Sequence, residues 1–405
     1  MSVIIDPLYG FIDFPRGLIR RLINHPYFQR LDRIRQLGTS GFVYPSAQHT
    51  RKQHSLGAYH LVSEALRSLI SKGQFIFDSE IEATQAALLM HDLGHGPYSH
   101  VLEFVFAKGI AHEEITHMMM NRLNKEFNGE LTLALQIFKG QHPKHFLHEL
   151  ISSQLDMDRL DYLMRDSFYT GVREGSVGAE RLIKMLDVRD EHLVIHQKGM
   201  YSVENYLMAR RLMYWQVYLH KTTIAAEEVL RNALLRAKRL AKEGKQLFCT
   251  PALHYFLYND IAKETFENSS KCLDYYIQLD DADILSALKA WRSHEDIVLN
   301  TLANNFLNRN LFKAEVFDAP ISSEQLQCKK EELAKLMGLT IDQVSYFVSS
   351  RSVSKEMYSV TAEGIKVLCN DGEIKDFATL SQIISTDNTA TSIKDTKHYL
   401  FYQRA

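Results

Sequence analysis

A histidine and an aspartate stand next to each other where an apolar, helix-forming stretch ends. His91 and Asp92 follow residues 86–90, and Gly94 then interrupts the helical pattern. Imidazole nitrogens and carboxylate oxygens bind divalent metals, and two such groups at one helix end can reach the same ion. His54 opens a separate helical pattern and supplies a third ligand if the two helices pack together. The sequence thus predicts a metal site assembled from distant segments.

Carboxylates recur at helical spacing further along the chain, in residues 155–166. Asp158, Tyr162 and Asp166 lie at i, i+4 and i+8, so one face of a helix presents all three. The leucines of the same stretch supply its apolar surface. A carboxylate that faces the protein interior is costly unless it is paired or binds a metal. We therefore expect the fourth metal ligand to come from this stretch.

Histidine is abundant in the chain and cysteine is scarce. There are 18 histidines, eleven of them between His49 and His148, and only 4 cysteines, with no CxxC pair. This composition favours imidazole over thiolate as a metal ligand, disfavours a disulfide framework and indicates a reducing compartment. The spacing of His142, His145 and His148 suggests a second metal site, but we interpret these and the other unassigned histidines as incidental.

The overall composition is that of a folded protein with one large or two ordinary domains. Of 405 residues, 45% are hydrophobic, and 47 Lys and Arg nearly balance 49 Asp and Glu, for a net charge of −2. Proteins that coat nucleic acid or anionic membranes are basic, so neither is expected as the main partner. No apolar run approaches the roughly 20 residues that span a bilayer, and no secretory signal pattern is found. We expect a cytoplasmic protein.

Apolar residues at i, i+3 and i+4, with only 8 prolines, predict a mainly α-helical fold with a small β-hairpin and a C-terminal α+β lobe. The predicted helices cover residues 18–37, 54–70, 79–93, 112–127, 131–138, 155–167 and 203–242. A capping box of Ser79 and Glu82 marks the start of the third helix. The hairpin is predicted from residues 186–189 and 193–196. Further β-rich pieces lie at 344–348, 364–368 and 399–402, with a turn at 370–372.

Six stretches around the candidate ligands extend the pattern. They are Asp6-Pro7-Leu8-Tyr9-Gly10, Phe28-Gln29-Arg30-Leu31, Arg35-Gln36-Leu37-Gly38, Arg51-x-x-His54-Ser55-Leu56-Gly57, the run from His91-Asp92 to His100, and Asp158-x-x-Asp161-Tyr162-x-x-Arg165-Asp166. In this order and spacing they resemble the deoxynucleoside triphosphate triphosphohydrolase branch of the HD-domain metal-dependent phosphohydrolase superfamily. The resemblance implies a helical HD catalytic core at 1–240, which a helical extension at 241–320 and the α+β lobe at 321–405 would follow.

The resemblance implies a metal-dependent reaction on a dNTP. Water activated by the metal would attack the α-phosphate and release a deoxynucleoside and inorganic tripolyphosphate. The implied ligands are His54, His91, Asp92 and Asp158. Histidine and aspartate ligands suit a divalent Mn, Mg, Fe, Zn or Co ion. Assembly into a homo-oligomer is implied as well.

Matching positions also imply residues for proton and phosphate chemistry. His100 is implied as the proton donor to the leaving 5′-oxygen, while His95 and His112 position phosphate oxygens and Glu113 orients His112. A triphosphate carries about four negative charges, which require fixed cations. The implied cations are Arg51, Arg159 and Arg210.

The resemblance also implies a separate set of residues that contact the sugar and the base. Gln36 and Asp166 would bind the 3′-hydroxyl. Leu37 and Tyr162 would pack against the deoxyribose and leave no room for a 2′-hydroxyl. Tyr218 would stack on the substrate.

One departure from the resemblance concerns regulation. Some relatives bind an activating guanine nucleotide through an Asp and an Arg, and this chain has Asn24 and Asp32 at those places. A carboxylate in place of the Arg repels phosphate, so we expect no such activation at this site.

Two other functions stay open from the sequence. One is an HD-type phosphohydrolase that acts on another nucleotide phosphoester, such as a monophosphate or a cyclic nucleotide. The other is a nucleotide-sensing regulatory protein that acts through residues 321–405. The sugar-binding set favours a dNTP over the first, and the proton donors favour catalysis over the second.

Overall fold

The computed structural model describes residues 2–98, 100–106, 109–359, 364–381 and 392–404. Helices dominate these ranges, which confirms the predicted mainly α-helical class. The helices are α1 (Leu18–Asn24), α2 (Pro26–Arg30), α3 (Arg51–Ser71), α4 (Asp78–Met90), α5 (His100–Phe106), α6 (His112–Glu126), α7 (Thr132–Phe138), α8 (His145–Glu149), α9 (Met157–Thr170), α10 (Ala179–Met185), α11 (Met200–Met213), α12 (Lys221–Lys242), α13 (Pro251–Tyr258), α14 (Lys263–Asn268), α15 (Ser270–Tyr276), α16 (Asp281–Trp291), α17 (Ile297–Leu307), α18 (Ser323–Met337), α19 (Ile341–Val344) and α20 (Phe377–Leu380).

The strands are short except for two long ones near the C-terminus. They are β1 (Ser2–Asp6), β2 (Gly10–Phe14), β3 (Leu186–Arg189), β4 (His192–His196), β5 (Lys313–Phe317), β6 (Val348–Ser359), β7 (Lys366–Leu368), β8 (Ile374–Asp376) and β9 (Ser392–Tyr402). They form three sheets, a β1-β2 hairpin, a four-stranded sheet in the order β3-β4-β7-β8 and a three-stranded sheet in the order β5-β9-β6.

Helix α3 begins with a reciprocal capping box. The backbone N–H of Thr50 donates to Oε1 of Gln53 at 2.8 Å, and the Thr50 hydroxyl accepts from the Gln53 N–H. This cap places Arg51 and His54 in the first turn of the helix. The predicted capping box at Ser79 and Glu82 is wrong, because α4 starts earlier and Glu80 accepts from the Phe77 N–H at 2.8 Å.

Helix α9 is positioned by caps at both ends. The carboxylate of Asp156 accepts from the Arg159 N–H at 2.7 Å, and the helix ends at Gly171 in a left-handed conformation with φ of 75°. Helix α9 packs against α3, which in turn packs against α4. The three helices therefore bring their functional faces together.

The long helix predicted at 203–242 is broken in two, which corrects that prediction. Helix α11 ends in a π-helical turn at Tyr214–Tyr218, and α12 starts anew with His220 as its N-cap. The Tyr218 hydroxyl donates to Oδ2 of Asp166 on α9 at 2.8 Å. No glycine or proline marks this break, so the local sequence provides no signal for it; π-turns frequently occur at functional sites.

The strand predictions are confirmed in part. Strands β3 and β4 form the predicted hairpin, and β7 and β8 flank the predicted turn at 370–372. Residues 344–348 are not a strand, because α19 ends at Val344 and β6 begins only at Val348. The β1-β2 hairpin was not predicted from the sequence.

The C-terminal segment shares its packing with the rest of the chain. Strand β7 pairs with β4, and Phe347, Val367 and Phe401 belong to the same hydrophobic cluster as the helices around the site. A second, smaller cluster includes Leu333 and Tyr402 and lies within the segment. The division at 240 and 320 stays a prediction. Within the described ranges, no helix is both long and apolar enough to cross a bilayer.

Candidate active site

The predicted functional residues converge on one cavity of about 830 Å³. Its walls come mainly from α3, α9, the segment that follows α4, and the junction of α11 with α12. The sequence-predicted residues that line it are Gln36, Leu37, Arg51, His54, His91, Asp92, His95, His112, Glu113, Asp158, Arg159, Tyr162, Asp166 and Tyr218. Arg210 is not among the described residues of the cavity wall, and the side chain of His100 lies outside the described part of the chain.

Three of the four predicted ligands form a compact group. Ligand atoms of His54, His91 and Asp158 all lie within 4.8 Å of one another. The Nε2 atoms of the two histidines are 3.2 Å apart, and Oδ1 of Asp158 lies 3.0 Å from His54 Nε2 and 3.3 Å from His91 Nε2. Two imidazole nitrogens and a carboxylate oxygen at this spacing are a donor set that fits a divalent cation.

The fourth predicted ligand, Asp92, borders this group and pairs with an arginine. One carboxylate oxygen of Asp92 lies 3.3 Å from His91 Nε2, and the other lies 4.0 Å from His54 Nε2 and 2.6 Å from Nη1 of Arg51. Burial raises the pKa of Asp92, but Arg51 and His91 outweigh burial and hold it well below its ordinary value. The carboxylate is therefore ionised at neutral pH, as a metal ligand requires.

The electrostatic field at the group favours a cation. Burial lowers the pKa of His54, but hydrogen bonds to Asp158 and Asp161 outweigh burial and raise it to about 10. Burial raises the pKa of Asp158, yet His91 and His54 outweigh it and hold the pKa far below its ordinary value. The carboxylates that favour a proton on His54 equally favour a metal ion in the place of that proton.

Asp161, for which the sequence predicted no role, holds His54 in place. Its Oδ2 accepts from His54 Nδ1 at 2.7 Å, and its Oδ1 accepts from the Tyr9 hydroxyl at 2.7 Å. Arg165 donates to both oxygens, at 2.9 and 3.0 Å, and also to Asp6 at 2.8 Å. A carboxylate behind a histidine ligand fixes its ring orientation and tautomer. The β1-β2 hairpin, through Asp6 and Tyr9, therefore supports the candidate metal site.

The two histidines predicted to position phosphate oxygens lie face to face, and one of them is beside Asp92. The rings of His95 and His112 are stacked with centroids 3.8 Å apart, and His95 Nε2 lies 3.3 Å from Asp92. Glu113 lies 3.3 Å from His112 Nε2. Burial and the guanidinium of Arg51 lower the pKa of His95 to about 3, so its imidazole is neutral at pH 7.

The three predicted arginines lie in different surroundings. Arg51 is buried in the first turn of α3, whereas Arg159 is partly exposed and forms a close ion pair with Asp156. The Arg210 guanidinium lies 5.9 Å from the centre of the Tyr214 ring, and that ring lines the cavity. Two nitrogens of Arg210, Nε and Nη1, are buried without a hydrogen-bond partner among the described residues.

Three of the predicted substrate-binding residues lie close to one another and to the metal group. The Tyr162 ring lies 6.4 Å from that of His54 and 6.0 Å from that of Tyr218. Asp166 accepts from Tyr218, and its second oxygen lies 2.7 Å from Nε2 of His49. His49, which we interpreted as incidental, is buried, and its contact with the carboxylate holds Asp166 in place. No spacing in the sequence connects residue 49 with residue 166.

The remaining histidine cluster does not assemble into a site. His142 lies 3.5 Å from Glu80, His145 stacks on His192 at 5.1 Å, and His148 Nδ1 bonds to the Ile137 carbonyl at 3.0 Å. Each of the three thus has a different neighbour, in line with the incidental interpretation.

Asp32, which stands where some relatives have an arginine, has a local partner. Its carboxylate lies 3.3 Å from Lys52 Nζ, and the same ammonium donates to Gln29 at 3.0 Å. A lysine partner therefore satisfies the carboxylate that replaces the expected arginine.

Comparison with known proteins places the chain in a family. A family model described as an HD associated region matches residues 177–247. The uncharacterized protein YwfO of Bacillus subtilis is 34% identical over 98% of this chain and 91% of its own length. The deoxynucleoside triphosphate triphosphohydrolase SAMHD1 of Bos taurus is 29% identical over 58% of this chain and 48% of its own length.

Solved structures agree with the sequence comparisons. The crystal structure of a phosphohydrolase from Bacteroides thetaiotaomicron is 55% identical and superposes with a TM-score of 0.96 over the whole of both chains. A hypothetical protein from Aquifex aeolicus is 28% identical, with a TM-score of 0.72 over 100% of this chain and 96% of its own. With the His54, His91 and Asp158 group in place, these matches show that the chain belongs to the HD-domain metal-dependent phosphohydrolase superfamily.

Proposed function

We propose that the protein hydrolyses deoxynucleoside triphosphates to a deoxynucleoside and inorganic tripolyphosphate. The main support is that one cavity is lined by cationic side chains, by the candidate metal ligands and by a buried Asp166. These three kinds of group match the charges of a triphosphate, the reacting α-phosphorus and a 3′-hydroxyl. The resemblance of six sequence stretches to dNTP triphosphohydrolases supports the same substrate.

The proposed metal ligands are His54, His91, Asp92 and Asp158. A divalent ion bound there would act as a Lewis acid on the phosphate and would activate water for attack. Asp161 would keep the His54 ring in the required orientation. Arg51, beside Asp92, would bind a phosphate oxygen next to the reacting phosphorus.

The other charged side chains would bind the triphosphate and supply a proton to the leaving 5′-oxygen of the deoxynucleoside. Arg159 at the cavity wall would neutralise phosphate charge, as would Arg210 near Tyr214, two of whose nitrogens have no hydrogen-bond partner among the described residues. Neutral His95 can donate a hydrogen bond to a phosphate oxygen without changing its charge. His100 is the proposed source of the proton for the 5′-oxygen, and His112, beside Glu113, would position a phosphate oxygen.

At the sugar, Asp166 would accept a hydrogen bond from the 3′-hydroxyl. Its two oxygens are held by His49 and Tyr218, which fixes the carboxylate before substrate arrives. Gln36 has a buried Oε1 without a partner among the described residues, in line with a role at the same hydroxyl. Leu37 and Tyr162 would pack against the deoxyribose ring.

The decisive experiment incubates the purified protein with each dNTP, singly and mixed, and with Mn, Mg, Fe, Zn or Co. Separation of the products should yield tripolyphosphate and deoxynucleoside. Pyrophosphate, monophosphate or no turnover would contradict the proposal, and turnover of a cyclic nucleotide or a monophosphate instead would favour the other phosphoester activity. Size measurement with and without nucleotide tests the predicted homo-oligomer.

A site variant tests the ligand assignment. Asp92→Ala should abolish both metal content and turnover, whereas Asp32→Ala, which removes an exposed carboxylate outside the cavity, should retain both. Normal turnover by Asp92→Ala would show that the assignment is wrong.

A further inference from the structure

Part of the cavity wall, formed by residues that follow Tyr218 in the chain, has no role in the proposed reaction. Thr223, Ile224 and Glu227, in the first two turns of α12, line this part. Their spacing of i, i+1 and i+4 places them on one side of the helix. Leu219, just before the helix, continues the same wall back to Tyr218. This end of the cavity therefore lies next to the proposed sugar-binding residues.

The facing wall comes from the C-terminal segment. Arg351 and Val353, alternate residues of β6, line the cavity. Alternate residues of a strand point to one face, and Ser349 on the same face donates to Glu228 of α12 at 2.9 Å. Side chains of β6 thus reach the start of α12, and residues more than a hundred positions apart line this part of the cavity.

A hydrogen-bond acceptor and a donor lie side by side in this end. Nη1 of Arg351 donates to Oε2 of Glu227 at 2.9 Å, and Glu228 lies 3.9 Å from the same nitrogen. The Arg351 and Glu227 side chains are 38% and 22% exposed, so they are accessible to a ligand yet partly shielded from water. One helical turn nearer the sugar, the Thr223 hydroxyl is buried without a partner among the described residues.

Apolar side chains complete the enclosure. Leu219, Ile224 and Val353 line the same region of the cavity. Mostly apolar walls with a few placed polar groups are typical of small-molecule sites. A nucleobase attached to a deoxyribose at Tyr162 and Asp166 would enter this part of the cavity.

We propose that Glu227 and Arg351 recognise the base of the nucleotide and select guanine; this proposal rests on the proposed dNTP hydrolysis. Guanine presents two adjacent donors, N1–H and the 2-amino group, that a carboxylate can accept together. It also presents the O6 and N7 acceptors that a guanidinium binds through two hydrogen bonds. Adenine has no carbonyl and thymine has no amino group. Cytosine has both, but no ring N–H that would give the carboxylate its second hydrogen bond.

The experiment measures kcat/KM for the four dNTPs with the full-length protein and its activating metal. We expect dGTP to be preferred, and Glu227→Gln and Arg351→Ala each to lower kcat/KM for dGTP about tenfold or more. Values for dATP and dTTP should change less than threefold, so the preference itself should be lost. Two matched controls, Glu243→Gln and Arg239→Ala, remove a mutually paired surface glutamate and arginine near the end of α12. Both should keep the dGTP preference.

A binding measurement separates this proposal from the proposed reaction. Analogues of dGTP and dATP in which a methylene replaces the 5′-oxygen cannot be cleaved, and their affinities follow from titration calorimetry on the same variants. The unmodified protein should bind the dGTP analogue more tightly than the dATP analogue, and both variants should lose this difference. That result supports base recognition even without turnover. Equal affinities for the two analogues, or an unchanged preference in both variants, would overturn base recognition. If tripolyphosphate is nevertheless released from all four dNTPs, the proposed function stands.

Discussion

Nδ1 of His54 donates a hydrogen bond of 2.7 Å to Oδ2 of Asp161, and both side chains are buried. The bond leaves Nε2 of His54 facing His91 and Asp158. Asp161 is itself held by Arg165 and by the hydroxyl of Tyr9. The orientation of a proposed metal ligand therefore depends on a hairpin at the start of the chain, through a carboxylate that binds no metal.

Replacement of Asp161 should weaken metal binding without removal of any ligand. Asp161→Asn is expected to reduce metal affinity about 10- to 100-fold, because the His54 ring loses its charged partner. Tyr9→Phe, which removes a single hydrogen bond to Asp161, should have a smaller effect in the same direction. Titration calorimetry with the activating metal measures both.

Asp161 also pairs with buried Arg165, so the folded fraction of each variant must be checked by thermal unfolding. Asp296→Asn is the matched control, since that carboxylate pairs with Arg236 outside the cavity. Metal affinity of folded Asp161→Asn equal to that of the unmodified protein would contradict the supporting role of Asp161.

Metal affinity should rise with pH. The pKa of His54 is raised to about 10 by Asp158 and Asp161, so without metal the imidazole is protonated at neutral pH. Metal binding must displace that proton, and each displaced proton strengthens the apparent affinity about tenfold per pH unit. Titrations between about pH 6.5 and 8.5 should show this slope, and calorimetry in two buffers of different ionisation enthalpy should detect proton release. An affinity that does not depend on pH would contradict the expectation.

The sugar assignment predicts a loss that depends on the 3′-hydroxyl. Asp166→Asn should lower kcat/KM for dNTPs about tenfold, because a fixed charged acceptor for that hydroxyl is replaced by a neutral amide. Activity on 2′,3′-dideoxynucleoside triphosphates, which lack the hydroxyl, should change little. Asp342→Asn, at an exposed position on α19, serves as the control. Equal losses on both substrates would indicate a structural effect and no contact with the hydroxyl.

Gly57 is required by the close approach of α3 to α9. A Cβ at this position would overlap with Oδ1 of Asp161 and Nη2 of Arg165. Gly57→Ala should therefore lower the free energy of unfolding by about 1–3 kcal/mol, as overpacking does in buried sites. Gly178→Ala is the control, because its added Cβ meets no atom within 4 Å and its φ is −80°.

Urea denaturation measures the free energy of unfolding of both glycine variants. Similar stability of the two would show that α3 and α9 can separate at little cost. A normal metal content in folded Gly57→Ala would further show that Asp161 tolerates the shift.

Local patterns in the sequence were sufficient for several helices of the first 170 residues and to nominate candidate metal ligands. Apolar spacing predicted the stretches that became α3, α6, α7 and α9, because an amphipathic helix must bury one face. His91 and Asp92 were recognisable because they are adjacent, and Asp158, Tyr162 and Asp166 because they share a helical face. In the tertiary structure, His54, His91 and Asp158 lie within reach of one another.

Other features depend on packing between distant segments, and no local pattern predicted them. The π-turn at Tyr214–Tyr218 interrupts a sequence that has the composition of a continuous helix, yet it directs Tyr218 to Asp166. The partnership of His49 with Asp166 joins residues 117 positions apart.

The sequence alone predicted the main amphipathic helices around the site and which residue types can bind a metal, since both depend on chemistry within one segment. The tertiary structure decided which carboxylate supports His54 and which residues enclose the far end of the cavity. Asp161 and Asp158 are both acidic residues of α9, and only the packing of α3 directs one to Nδ1 and the other to Nε2 of His54. Glu227 and Arg351 likewise become neighbours only in the folded chain, because a hydrogen bond depends on distance in space and not along the chain.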